Sequence, residues 1–379
     1  MTALVVRGGR DASGAPLEVS IVDGVLGPGA PGDAAVVDAT GLVVAPGLVD
    51  LQVNGAAGVD VTNEPERIAS VGAELVRHGV TAYLPTVITS GQEARSAALS
   101  AVSSVPSGSH GAVALGVHFE GPMIAPSRRG AHPEAWLREP SLELVEGWSR
   151  DAGVVMVTIA PELPGACAVI ASLAARGVVV SIGHTSATPD QVVAAVDAGA
   201  RCATHLFNAM PPLSAREPGP VGAVLGHSHL VAGLIVDGIH LSDAIVRTAW
   251  HALGPERFWS VSDTTAALGL GDGPTRLGDQ DVIVADGAVR LADGTLAGSA
   301  SSLADCVRTL WTTTGCSLDE SLATATSTPA RLIGDDSRGR LVAGARGDLV
   351  LLDVDEPTGR FDVVATVVGG VVAFDRRKG

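Results

Sequence analysis

The amino-acid sequence predicts an α/β fold: a (β/α)8 TIM-like barrel of parallel strands with a small β-sandwich formed from both termini. Three observations carry this. Eight short runs rich in Val, Ile, Leu and Ala alternate with helical patterns through the middle of the chain, as βα units around a parallel sheet do. Residues 1–45 and 338–379 instead alternate β-prone runs with turn signals. Finally, several apolar runs close on a polar side chain, namely Gln52, Glu120, His184, His205 and Asp263. The C-terminal ends of barrel strands share one rim, so these residues are expected to converge on a single pocket.

Taken in order, the N-terminal part (1–45) contains Val19-Ser20-Ile21-Val22-Asp23-Gly24-Val25-Leu26, where Asp-Gly reads as a hairpin. The barrel (46–337) holds strands predicted at 48–53, 82–86, 112–119, 154–160, 178–183, 201–205, 230–236 and 258–261. Thr188 reads as an N-cap, with Pro189 at the first helical position and Asp190 in an acidic first turn before 192–198. Ser242-Asp243 opens a second helix over 244–253. The C-terminal part (338–379) returns to strands at 349–353 and 363–372. Neither end has enough strands to bury a face alone, so the two are expected to pack together.

At 379 residues the chain fits a barrel of roughly 250 residues plus a small module. Against 41 acidic residues stand 25 basic ones, a net charge of −16 that excludes a broad footprint on nucleic acid or anionic lipid. An anionic substrate must therefore be held by a few local cationic groups. Cys167, Cys202, Cys306 and Cys316 form no C-x-x-C pair, which fits reduced thiols in a cytoplasmic protein. No secretory leader and no membrane-spanning run is expected.

Glu120, His184 and His205 supply one hard oxygen and two imidazole nitrogens, a set that suits one divalent ion per subunit, zinc above all, with a position left for water. Each alone also reads as a hydrogen-bonded structural residue. Their shared place at strand ends favours the metal. His118 lies on the same side of its strand as Glu120, and its structural reading is the better one. Asp263 is the carboxylate assigned to proton transfer, the alternative being a helix cap or turn aspartate.

Many metal hydrolases on such barrels carry His-x-His at the end of the first strand, where this chain has Gln52-Val53-Asn54. Amides are weak zinc ligands, so one of two metal positions is expected to be lost, leaving Gln52 to position the water of the other. The sole lysine is Lys378, which excludes a carboxylated lysine bridging two metals in the barrel. A phosphate would need Arg, His or backbone N–H groups. Arg216 and His240 are candidates, Arg216 reading more readily as a solvated loop charge on its residues alone; Arg128-Arg129-Gly130-Ala131-His132 is either a substrate-covering loop or a solvated turn.

These motifs resemble a known family. Val49-Asp50-Leu51-Gln52-Val53-Asn54-Gly55, His118-Phe119-Glu120-Gly121-Pro122, Gly183-His184-Thr185-Ser186-Ala187, Thr204-His205-Leu206-Phe207-Asn208-Ala209-Met210, Arg216-Glu217-Pro218-Gly219, Asp237-Gly238-Ile239-His240 and Ser262-Asp263 are similar to the N-acetylglucosamine-6-phosphate deacetylases of the amidohydrolase superfamily. The resemblance runs through nearly the whole chain. It implies hydrolysis of the acetamide of an amino-sugar phosphate, a metal on Glu120, His184 and His205, and Asp263 as acid/base. It further implies that Ala131, His132, Asn208, Ala209, Asp237, His240, Leu296, Ala297 and Gly298 line the sugar-phosphate site. Arg216 would reach the phosphate of a neighbouring subunit in a homodimer. Some members carry His-x-His and bind two metals; this chain resembles the branch with Gln-x-Asn. Alternatives are the galacto epimer of the same substrate and a non-catalytic sugar-phosphate-binding protein. A hydantoinase or dihydroorotase is disfavoured by the absent His-x-His and barrel lysine.

Overall fold

The computed structural model describes residues 2–105 and 111–378. Eight parallel strands form its centre: Leu48–Val53, Val80–Ile88, Val117–Glu120, Val154–Ile159, Val179–Ile182, Ala200–Ala203, Val231–Ile235 and Phe258–Val261. Every predicted strand has its counterpart. The third is interrupted, with Val113–Ala114 pairing beside the second strand before Gly116 turns the chain at φ 126°. Strands buried on both faces need continuous apolar runs, and the second is buried at all nine positions.

Successive strands are joined by parallel ladders from first to eighth. Among the described residues the first and eighth strands share no ladder, and the bridge Val53↔Thr264 joins the chain just beyond the eighth strand to the first. Lower along that seam the backbone of Thr324 and Ala325 fills in, its carbonyls accepting from Ser260 N (3.0 Å) and Val49 N (2.8 Å).

A chain of polar contacts crosses the barrel below the rim. His118 Nε2 lies 2.8 Å from Thr158 Oγ1, which lies 2.7 Å from Thr204 Oγ1, itself 2.6 Å from Ser181 Oγ. Burial pushes the His118 imidazole down to about 4, so it packs as a neutral structural residue.

Both expected helix starts are present. Thr188 and Gln191 form a reciprocal capping box on helix Pro189–Asp197, a device contributing about 1 kcal/mol. Helix Asp243–Arg257 follows Ser242, whose side chain makes no cap bond, and is broken at Gly254 before Pro255.

The two termini join in one eight-stranded sheet, where Val43–Pro46 pairs antiparallel with Leu349–Asp355. One face encloses its own core, including Val6, Ile21, Val44, Leu351 and Val367. The other face packs on the barrel through Val350, Leu352, Phe361 and Val363. An element without a sequence expectation follows the eighth strand: a four-stranded antiparallel sheet of Gly273–Leu277, Gln280–Ala285, Ala288–Arg290 and Leu296–Ser299. Among the described residues no helix is long and apolar enough to cross a membrane.

Candidate active site and metal centre

Glu120 ends the third strand, while His184, His205 and Asp263 lie just past the fifth, sixth and eighth. The last three hold left-handed backbone, with φ of 49°, 28° and 50°. Such conformations cost about 1–3 kcal/mol each and persist where surrounding structure enforces them. The result is a turn at each strand end that directs the side chain into the rim.

His205 Nε2 stands 2.9 Å and His184 Nε2 3.2 Å from Glu120 Oε1, and the two nitrogens are 3.1 Å apart. Among the described residues these three form a group able to hold a metal ion, with ligand atoms within 4.8 Å of one another. The donor set fits a divalent cation. His184 Nδ1 is 2.8 Å from the Arg128 carbonyl, which can only accept, so the ring proton is on Nδ1 and the Nε2 lone pair faces Glu120. Burial opposes charge on Glu120, but the His184 and His205 imidazoles beside it, and then His132, hold its carboxyl well below the usual range. Burial likewise disfavours charge on His205, yet the bond to Glu120 and that carboxylate's charge raise its pKa. Gln52 lies behind the group, donating from Nε2 to Glu120 Oε1 across 3.2 Å.

Asp263 faces the same space. Burial and then the Glu120 charge push its carboxyl up to about 7, against His205, His240 and the Asn54 hydrogen bond. Opposite, His132 Nδ1 accepts the Thr89 backbone N–H at 3.3 Å and lies 2.8 Å from the Thr89 hydroxyl. An acceptor at Nδ1 places the ring proton on Nε2, which points to Glu120 Oε2 at 3.7 Å. Burial, and then the neighbouring His184, push His132 down to about 3, keeping it a neutral donor.

A pocket of about 320 Å³ contains this arrangement. Of the residues singled out from sequence, Glu120, Ala131, His132, His184, His205, Asn208, Ala209, His240, Asp263, Leu296, Ala297 and Gly298 all line it. Asp237 stands one shell back: its Oδ2 binds His240 Nδ1 at 2.7 Å, and its Oδ1 accepts the Ile239 and His240 backbone N–H groups at 2.9 Å. Arg216 is exposed on its loop and outside the pocket lining.

Sequence reasoning left out three contributions. Asn54, read only as a weak ligand, donates to Asp263. Arg128 serves through its carbonyl, which no side-chain pattern records. Leu277 and Thr295 reach the pocket on the unpredicted sheet, which docks through Ser299 N to the Asp263 carbonyl at 2.9 Å. That approach requires Gly298, whose φ is 73° and where a Cβ would lie 2.9 Å from the same carbonyl.

The model of the amidohydrolase family matches residues 43–373. N-acetylglucosamine-6-phosphate deacetylase of Rattus norvegicus is 40% identical over 333 residues, covering 83% of this chain and 81% of the rat protein. The Bacillus subtilis protein of the same name is 34% identical over 340 residues, covering 88% and 85%. The structure of a Pasteurella multocida N-acetylglucosamine-6-phosphate deacetylase superposes with a TM-score of 0.90 at 29% identity, over 98% of this chain and 99% of that one. A Mycobacterium smegmatis deacetylase mutant, in complex with N-acetyl-D-glucosamine-6-phosphate, gives 0.86 at 36% identity with the same coverage. The chain therefore belongs to the amidohydrolase family, in the branch of the N-acetylglucosamine-6-phosphate deacetylases.

Proposed function

We propose that this chain hydrolyses the acetamide of N-acetylglucosamine 6-phosphate, releasing acetate and glucosamine 6-phosphate, in amino-sugar catabolism or cell-wall sugar recycling. The observation that carries the reading is the convergence in one pocket of Glu120, His184 and His205 with an Asp263 whose carboxyl is poised near neutrality.

Glu120, His184 and His205 would hold one divalent ion, most simply zinc for one carboxylate and two imidazoles, with Gln52 setting its water through Glu120. Bound there, the ion supplies Lewis acidity toward the acyl oxygen and acidifies water at neutral pH. Asp263 takes the proton of the attacking water. Because Asn54 occupies Oδ1, the oxygen available for that proton is Oδ2. As the tetrahedral carbon collapses, Asp263 returns the proton to the departing amine, so one carboxyl serves as base and then as acid. His132, fixed as an Nε2–H donor by Thr89, stabilises the oxyanion. The walls made by Ala131, Asn208, Ala209, Leu296, Ala297 and Gly298 enclose the sugar.

For the phosphate we assign His240, oriented by Asp237. Arg216 is assigned to the pocket of a neighbouring subunit, which makes the active form a homodimer; its exposure outside its own pocket supports this reading. Four unpaired thiols support a cytoplasmic setting.

The test is acetate release by zinc-loaded protein from N-acetylglucosamine 6-phosphate, unphosphorylated N-acetylglucosamine and the galacto epimer 6-phosphate. Preference for the gluco phosphate is expected. Preference for the epimer would keep the chemistry and change the substrate, whereas no release from any of the three would overturn the reading.

A further inference from the structure

Asp50 is fully buried in the barrel, and no Arg, Lys or His among the described residues pairs with it. A buried carboxylate without a counter-ion is costly, and an apolar side chain could fill the same space. Its donors all lie at one place in the fold. Ser262 Oγ donates to Oδ2 across 2.5 Å, while Oδ1 accepts Gln52 N at 3.2 Å and Ser262 N at 3.5 Å. Gln52 belongs to the first strand and Ser262 follows the eighth, so the carboxylate spans the one seam of the barrel that lacks a ladder.

Ser262 Oγ in turn accepts Thr264 N at 3.2 Å, and the Thr264 carbonyl accepts Asn54 N at 2.7 Å. Residues 262 and 264 are thus both fastened, and Asp263 between them is held at φ 50°. We infer that Asp50 and Ser262 clasp the open seam of the barrel and act as positioning residues, setting the Asp263 carboxylate for proton transfer while bracing the Gln52 backbone behind Glu120. The inference rests on the proposed role of Asp263.

The experiment compares Asp50→Asn, Ser262→Ala and the double variant with wild type and Asp263→Asn, reading kcat, KM, bound metal and Tm in each. Asp50→Asn is isosteric, which keeps the test open if Ser262→Ala fails to fold. Misplacing a reacting group by about 1 Å costs on the order of 100-fold, so each single variant is expected to lose between about 10- and 100-fold in kcat, with KM and metal content near wild type. Because the pair acts as one clasp, the double variant should be no slower than the worse single. Wild-type kcat in both singles, losses that only track lost metal or lost fold, or multiplying losses in the double variant would overturn the clasp. An active Asp263→Asn would instead remove the reading beneath it.

Discussion

The side-chain amide of Asn54 donates to Oδ1 of Asp263 across 2.8 Å, joining the loop after the first barrel strand to the turn after the eighth. Asn54 would thereby orient the carboxylate to which the proposed mechanism assigns proton transfer. One carboxylate oxygen is committed to the scaffold and the other is left for chemistry.

That bond favours the ionised carboxylate, so removing it raises the Asp263 pKa further. As the initial base, Asp263 works only when ionised. Activity should therefore be present at alkaline pH and lost as pH falls through the Asp263 pKa, about 7 without a bound cation and lower with one. In Asn54→Ala the acid limb of the kcat/KM profile should move toward alkaline pH, by on the order of one unit for a hydrogen bond to a charged group. A bound cation moves the whole profile the other way in both proteins, so the comparison is made at equal metal content. An unchanged limb would contradict the assignment of that ionisation to Asp263.

Gln52 donates to Glu120 Oε1 across 3.2 Å, and on the proposed reading it would act on the metal centre through that carboxylate and not as a ligand. Gln52→Ala should weaken zinc affinity or turnover by about 10- to 100-fold, the usual effect of losing an outer partner. Glu120→Gln and His205→Ala remove a ligand and should leave purified protein with little metal and no measurable turnover. Metal analysis after dialysis against a graded chelator series distinguishes these classes. Equal metal loss in all three variants would argue that Gln52 binds the ion itself.

At Gly298, alanine would place its Cβ 2.6 Å from Thr265 Cγ2 and 2.9 Å from the Asp263 carbonyl, at a φ of 73°. Gly298→Ala should cost about 1–3 kcal/mol in stability and lower kcat through displacement of the Asp263 turn. Urea unfolding and steady-state kinetics on the same preparation check both effects. Alanine at Gly294, with φ 88° but no atom within 4 Å of the added Cβ, should disturb the backbone and spare turnover.

The barrel was legible in the sequence because parallel strands buried on both faces demand unbroken apolar runs, and because Glu120, His184, His205 and Asp263 interrupt that rule where a run ends. The sheet over 273–299 escaped notice because its strands are short and half-exposed, as in the alternation of Gln280–Ala285. Asp286-Gly287, with φ of 51° and 75°, was the hairpin signal available for it. The tautomer of His184 was illegible for a different reason: a carbonyl, here that of Arg128, has the same chemistry in every residue. Likewise the open seam is a property of closure, so Asp50 reads in sequence as one more strand residue and acquires its partner only when the first and eighth strands meet.

The most direct test of the account is the rate of acetate release from N-acetylglucosamine 6-phosphate by Asp263→Asn, measured beside wild type with bound metal quantified in both. A variant that keeps its metal and loses turnover by several orders of magnitude is the predicted result. A metal-replete variant turning over near the wild-type rate would contradict the assignment of proton transfer to Asp263.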